Sequence, residues 1–563
     1  MRLIGQEEQQ AIDQFWQKQT GLPLLLLMES AARAVADMCM DILKNGGKTE
    51  RKKNSPQVNP ISPSALTDQI IPAKSGTNTP PDIVSQSEPA VLVLAGKGQN
   101  GGDAFACARM LAGEGVFVIC RELDPGAPQP AEAEANRQAL QRMGLPLGAI
   151  REEDFSGKNL RLIVDGLFGT GFQASRGLPE GFEKISCWCE QARSRGVQLI
   201  AVDIPSGLDS RTGIPARHAL KADMTLTFVL PKAGLFAEPG FTHAGTVYLA
   251  PIGIAGRLAE HALSEVDQPA CYLIDDAVVK PVRSQLKRDP LAHKGRFGRL
   301  MLIAGSPGMP GAAVLTARAA ARSGLGMLHL LTADGAAAAV VDGIPEAMVE
   351  SISFSDGDAF LQAVDTGMKR ASAVAAGPGI GRAEQLLPAL ERIIDLAQQT
   401  VLDADALNVL SDRPDEWWRR CERRVEQGLP PVILTPHPGE YRRLAPDLAD
   451  FDRQKQACLL AQRSHCVVVL KGSRTVVAAP DGEIYINQTG NNGLARGGSG
   501  DLLTGLIAGL LAQGIQPLQA ALAGVYYHGL AADLAAEKLS RRGMLPEDLL
   551  GSLSDAYRLT GWE

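Results

Sequence analysis

Three segments in the first half of the chain hold residue types that could grip a phosphorylated, hydroxylated ligand. The first is Gly96-Lys97-Gly98-Gln99-Asn100-Gly101-Gly102-Asp103, between an apolar run and a helical pattern. At such a junction backbone N–H groups and the helix dipole face a phosphate, and glycines let it approach closely. The G-x-G-x-x-G spacing fits a dinucleotide fingerprint. A tight structural turn would need the same glycines, but not Asn100, Gly102 and Asp103 as well. The second segment supplies Asp165, Gly166, Gly169, Thr170 and Gly171; the third supplies Asp203, Ser206, Gly207 and Asp209. Both follow apolar runs that read as strands. Ligands of parallel sheets bind outside the carboxyl ends of strands, so Asn100, Asp165 and Ser206 can converge as oxygen ligands. A set without Cys or His suits a hard cation. The simpler alternative is that Asp165 and Asp203 only cap turns.

The second half carries an independent set. Gly497, Gly498, Ser499, Gly500 and Asp501 stand directly before an apolar helix. A glycine-rich helix start is an anion hole, and an aspartate beside it can take a proton from a hydroxyl under phosphorylation. The P-loop pattern is absent. Upstream, Lys471-Gly472-Ser473-Arg474-Thr475 follows the strand-like CVVVL, where a nucleotide could lie. His437 lies between two prolines after PVIL, and Asp403 with Asp405 follows TVL. The two aspartates could hold Mg²⁺ through water.

These loops require strands and helices to position them, and the chain supplies them in alternation. Residues 6–43 read as helical. Then AVLVLAG, VFVIC, LIVD, QLIAVD and MTLTFV read as buried strands separated by helical stretches such as Ala131–Met143. A second alternating series runs from RLMLIAGS through CVVVLKG to the helix after Gly500. Strand–helix alternation implies parallel sheets covered by helices on both faces. A boundary near residue 266 gives domains at 1–265 and 266–563. Residues 45–89, rich in Pro, Ser, Thr, Asn and Lys, read as a flexible insertion unable to offset its ordering entropy.

Composition narrows the function classes. The 563 residues carry 56 basic and 63 acidic side chains, a net charge of −7. That argues against a protein held to nucleic acid by phosphate neutralisation. No apolar run approaches the ~20 residues of a membrane span, and the start, MRLIGQEEQQ, lacks signal-peptide character. Nine sparse cysteines suit reduced thiols. The expectation is a cytoplasmic enzyme with no nucleic-acid or membrane partner.

The first half resembles the NAD(P)H-hydrate epimerase domain, through GKGQNGGD, VDGLFGTG, DIPSGLD and the early LMESAARA. The resemblance spans about residues 1–255 and implies a Rossmann-like α/β/α fold. It implies that the hydrated nicotinamide is bound by Gln99, Asn100, Gly101, Gly102, Asp103, by Gly169, Thr170, Gly171, Phe172, Gln173, Ala174, Ser175, and by Asp203. It implies K⁺ on Asn100, Asp165 and Ser206, with Asp203 transferring a proton during epimerisation at C6. Gln99 stands where the family usually has Asn, and Ala104 where it usually has Gly.

The second half resembles the ribokinase-like superfamily and, more narrowly, the ADP-dependent NAD(P)H-hydrate dehydratase domain. HKGRFG, AGS, GPGIG, LDADALN, TPHPGE, LKGSRT and GGSGD occur in that family's order over about residues 270–563. This implies a second α/β/α fold. The hydrated nicotinamide would lie near Ala312, Gly379, His437 and the catalytic Asp501. ADP, the co-substrate, would lie along Lys471, Gly472, Ser473, Arg474, Thr475 and Gly500. Arg496, where the family usually has a small residue, stands beside the anion hole and is placed to alter nucleotide affinity. Phosphorylating the C6 hydroxyl makes it a good leaving group, which gives nucleotide dependence a reason. A homo-oligomer is expected from the same resemblance.

Two alternatives use the same residues. One is a ribokinase-like kinase for a hydroxymethylpyrimidine or sugar, with an N-terminal binding domain; HKG together with TPHPGE favours the dehydratase. The other is an N-terminal half that only binds, against which Asn100, Asp165, Asp203 and Ser206 argue together.

Overall fold

The structure, a computed structural model, describes residues 1–45, 59–60, 90–266 and 268–562. The segment read as a flexible insertion lies outside the described residues apart from Asn45 and the short strand Asn59–Pro60. The chain divides into two compact units, one of residues 2–268 and one of Met1 with residues 269–563. All nine cysteines are free. Among the described residues no helix is long and apolar enough to cross a membrane.

The N-terminal unit is built on a parallel sheet. Its strands run in the order Thr246–Ala250, Met224–Phe228, Gln198–Val202, Leu160–Gly166, Ala90–Ala95, Phe117–Glu122. The central strands are mostly apolar, as a sheet covered on both faces requires, although Leu160–Gly166 also carries Arg161 and Asp165. Every residue of Ala90–Ala95 is buried. One core, with Ile12, Trp16, Ala32, Phe105 and Leu111, fills one face. A second, with Leu92, Ile163, Phe182 and Leu199, fills the other. Helices Gln6–Thr20 and Leu25–Lys44 precede the sheet. Helix Gln99–Gly113 follows its first long strand. That helix starts two residues after Lys97, so Gln99 to Asp103 form its first turn rather than a loop.

Close packing explains three glycines there, two against backbone and one against a side chain. A Cβ on Gly96 would fall 1.7 Å from the Leu167 carbonyl oxygen, and one on Gly101 would fall 1.9 Å from that of Gly96. A Cβ on Gly102 would meet the Met28 side chain at 2.5 Å. Ala104, by contrast, is an ordinary helical residue, fully buried, and it packs where Gly166 leaves room.

The C-terminal unit has a larger sheet. Parallel strands run from Met348–Ile352 through Met327–Ala333, Arg299–Ile303, Ala373–Ala376, Thr400–Leu402 and Ile433–Leu434 to Val467–Leu470. Val476–Ala478 then pairs antiparallel on both sides, and Ile484–Asn487 pairs parallel with Cys271–Ile274. Helix Ser499–Ala512 is apolar nearly all round and buried. Its glycines admit helix Pro310–Arg322 at short range. A Cβ on Gly505 would lie 2.0 Å from the Thr316 carbonyl oxygen, and one on Gly509 would lie 2.1 Å from Ser323 Oγ.

Candidate active sites

The carboxyl ends of the N-terminal strands open into a cleft of about 790 Å³, within the size range of small-molecule sites. Gln99, Asn100, Asp103, Gly169, Thr170, Gly171, Phe172, Gln173 and Asp203 line it. Gly101 and Gly102 do not; their part is the helix packing described above. Ala174 and Ser175 line a neighbouring cleft that shares the wall Arg176–Pro179.

Asp203 ends the strand Gln198–Val202 in a left-handed conformation, φ 65°, uncommon for a non-glycine residue and a frequent mark of functional sites. Its Oδ1 lies 2.5 Å from Lys232 Nζ and accepts hydrogen bonds from Thr227 Oγ1 at 2.9 Å and the Phe228 N–H at 3.3 Å. Lys232 is fully buried and also donates to the Phe228 carbonyl at 3.0 Å. Two further carboxyls share the cleft. Burial pushes Asp103 well above its ordinary range, with the nearby Asp203 and Asp13 adding to the rise. Burial likewise pushes Asp13 up to about 6.

Beneath the cleft, Asp165 is fully buried. It accepts the Ser206 hydroxyl at 2.5 Å, the Ser206 N–H at 2.8 Å and the Leu167 N–H at 3.2 Å. Burial raises its pKa to about 6 against these bonds, and among the described residues no cationic side chain pairs with it. Ser206 Oγ accepts the Phe168 N–H at 2.9 Å, and Asn100 Nδ2 donates to the Phe168 carbonyl at 3.0 Å. Asn100, Asp165 and Ser206 therefore meet around one peptide, Phe168. A buried carboxylate without a countercharge, beside amide and hydroxyl oxygens, is a donor set that fits a monovalent hard cation.

In the C-terminal unit Asp501 stands in the first turn of helix Ser499–Ala512, behind Gly498 at φ 94°. Burial first and then Asp403 raise its pKa to about 7, while Lys471 opposes the rise. Lys471 Nζ lies 2.7 Å from Asp403 Oδ1 and 3.9 Å from Glu440 Oε2. A Cβ on Gly500 would meet that ammonium at 3.4 Å, so Lys471 does reach the glycine-rich helix start. His437 caps the short helix Pro438–Leu444: its Nδ1 accepts the Gly439 N–H at 2.9 Å, and its backbone N–H donates to Glu440 Oε2 at 2.8 Å. Ala312 and Gly379 are neighbours, since a Cβ on Gly379 would sit 3.1 Å from that of Ala312.

Some residues play parts other than those expected. Arg474 is buried, and its guanidinium donates to the Gln488 carbonyl, which makes it a strut of the fold. Arg496 donates to the Arg542 carbonyl at 2.5 Å. The Asp403–Asp405 pair does not fit Mg²⁺. Asp403 is 1% exposed, with one oxygen held by Lys471 and the other accepting Thr504 Oγ1 at 2.6 Å. Asp405 is spent on the Gly381 N–H at 3.0 Å.

The sequence reading missed Lys232 and Asp13. Lys232 follows the strand Met224–Phe228, so the strand-end rule that found the other loops also covers it. Asp13 stands on a helix flanked by the buried Ile12 and Trp16, a faint signal.

Comparison with known proteins agrees with both halves. The family described as YjeF-related protein N-terminus matches residues 25–234, and that described as NAD(P)H-hydrate dehydratase matches residues 300–554. The bifunctional NAD(P)H-hydrate repair enzyme Nnr of Moorella thermoacetica is 37% identical over 83% of this chain and 87% of its own. The Escherichia coli protein of the same name is 35% identical over 82% of this chain and 84% of its own. A crystal structure of an ADP/ATP-dependent NAD(P)H-hydrate dehydratase from Bacillus subtilis, co-crystallised with ATP/Mg²⁺, is 33% identical. It covers 52% of this chain and 99% of that one, with a TM-score of 0.43. With two sheets, each carrying its own polar strand-end site, and full-length relatives at this identity, the chain belongs to the family of bifunctional NAD(P)H-hydrate repair enzymes.

Proposed function

We propose that the N-terminal cleft interconverts the R and S hydrates of NADH and NADPH, and that the C-terminal site returns the S hydrate to NAD(P)H at the expense of ADP. Asp203 transfers a proton at the C6 hydroxyl. Its geometry is fixed by Lys232, Thr227 and the Phe228 N–H, so the carboxylate is held in place before substrate arrives. Gln99, Asn100, Asp103 and the segment Gly169–Gln173 form the walls that hold the hydrated nicotinamide. Asn100, Asp165 and Ser206 would hold K⁺, which supplies the countercharge that the buried carboxylate lacks and steadies the loop carrying Phe168.

In the second site the hydroxyl at C6 loses its proton to Asp501 as it takes the terminal phosphoryl group of ADP, leaving AMP. Phosphate then departs from C6 and a proton from C5, restoring the double bond. Lys471 and the N–H groups of the turn after Gly498 face the phosphates, and Ala312, Gly379 and His437 border the nicotinamide. A divalent ion, if carried in with the nucleotide, would be held by phosphate oxygens and water, since Mg²⁺ keeps much of its hydration shell. The unpaired thiols suit a reducing compartment, and we place the enzyme in the cytoplasm.

The observation that carries the reading is that each unit brings an aspartate and a lysine together at the carboxyl edge of its sheet: Asp203 with Lys232, and Asp501, in the first turn of its helix, with Lys471. The test is an assay of each purified epimer with ADP, ATP or no nucleotide. The S form should regain the reduced-nicotinamide absorbance only with nucleotide, and the R form should do so only after interconversion. Asp203→Asn should abolish interconversion and spare dehydration of the S form. A phosphorylated alcohol made from ATP would instead establish a kinase.

A further inference from the structure

We propose that Asp13 is the second proton-transfer group of the epimerase cleft, working with Asp203 on the C6 hydroxyl; this rests on the reading of that cleft given above. Inverting C6 changes the face that bears oxygen. The C6–O bond breaks as the ring-nitrogen lone pair forms a C6=N bond, and the hydroxyl leaves as water, taking one proton from an acid. A water then adds to the opposite face and gives one proton to a base. Protons and oxygen balance, and nothing is oxidised or reduced. One carboxyl cannot serve both faces, so the reaction needs two groups from different walls of the site.

Asp203 comes from a strand end and Asp13 from the helix Gln6–Thr20, and both line the same cleft. Asp203 is pinned by Lys232, Thr227 and the Phe228 N–H. Asp13 Oδ1 accepts a 2.9 Å hydrogen bond from Gln9 Nε2. Gln9 also lines the cleft, and its Oε1 is buried without a hydrogen-bond partner. A buried acceptor left unmade costs free energy unless something donates to it, and the entering water or the C6 hydroxyl is such a donor, delivered beside Asp13.

The charged groups around Asp13 are Lys232 and Asp203 from the sheet and Asp103 from helix Gln99–Gly113. On the helix's own packing side, His261 lies tilted against Phe15, with ring centroids 5.2 Å apart. In that setting Asp13 titrates near 6, where an acid can give and regain a proton close to neutrality. Asp103 is raised as well, by burial first and then by Asp203 and Asp13.

The experiment follows R-to-S conversion by the full chain without nucleotide, from pH 5 to 9, with spontaneous conversion subtracted. Wild type should lose rate as pH rises through about 6. Asp13→Asn should lower kcat by about 100-fold or more, the scale of a lost general acid. Its KM should stay within threefold and that limb should vanish. Asp13→Glu should recover a substantial part of the rate and show the limb shifted. The proposal is overturned if Asp13→Asn keeps kcat within threefold or changes KM alone. It is equally overturned if the limb persists in Asp13→Asn. Should Asp13→Asn fail to fold, an unshifted profile in Asp13→Glu overturns it. Failure of wild type to interconvert the epimers would instead refute the reading of the cleft itself.

Discussion

Lys471 Nζ lies 2.7 Å from Asp403 Oδ1, and the other oxygen of that carboxylate accepts Thr504 Oγ1 at 2.6 Å. The bond spans two strand ends, with Ile433–Leu434 between them, and Thr504 draws in the helix that carries Asp501. Lys471 is raised above its ordinary range even though burial, the largest influence, acts to lower it; Asp403 and Glu440 reverse the sign. The lysine is thus a fixed positive charge at the mouth of the anion hole.

Lys471→Met should therefore do two things. It strands Asp403 as a buried carboxylate, and breaking a buried pair costs about 3–5 kcal/mol. It also removes the charge facing the nucleotide, so KM for ADP should rise while epimer interconversion is untouched. Chemical denaturation and steady-state kinetics of both activities check this. A variant as stable as wild type, with unchanged KM, would show the pair to be idle.

Asp501 is pushed up to about 7 by burial and by Asp403, and its base role needs the carboxylate. The kcat/KM of dehydration should therefore rise with pH through about 7 and level off above it. Stability has the opposite sign. A folded pKa above the ordinary 3.8 means that stability is full below about 4 and is lost as pH rises toward 7. Asp501→Asn should abolish turnover yet raise stability at pH 8 by roughly 1–3 kcal/mol after allowing for partial solvation. A pH–rate profile and unfolding curves at pH 5 and 8 decide it.

The cation assignment is tested by exchange. With Asn100, Asp165 and Ser206 as ligands, epimer interconversion in K⁺ should exceed that in a large organic cation such as tetramethylammonium by tenfold or more. K⁺ should also raise the unfolding midpoint of the N-terminal unit. Asp165→Asn should lose both effects, since it deletes the buried charge. Equal rates in all salts for wild type would remove potassium from the account.

Much of this is legible in the amino-acid sequence. Apolar runs of four to seven residues ending in Gly, Asp or Ser marked the strands and the edge where ligands bind, because a strand covered on both faces is mostly apolar until it leaves the sheet. Motif residues in the loops could be placed for the same reason. What the sequence left hidden depended on side-chain direction. Arg474 belongs to a nucleotide-like run but points into the fold toward Gln488. Asp403 and Asp405 look like a metal pair but serve a lysine and a backbone N–H. Asp13 lies 190 positions from Asp203 and 219 from Lys232, and the three join one cleft only when helix and sheet pack. Ala104 looks like a loss of glycine freedom; the helix that begins at Gln99 makes that freedom unnecessary.

Gly505 lets the backbone of helix Ser499–Ala512 rest directly on that of Pro310–Arg322, and Gly509, one turn on, leaves the room that Ser323 Oγ fills. The two helices therefore behave as a single anvil, with Asp501 at one corner and Ala312 at another. A side chain at Gly505 would have to push the two helices apart, and that would move Asp501 relative to Ala312.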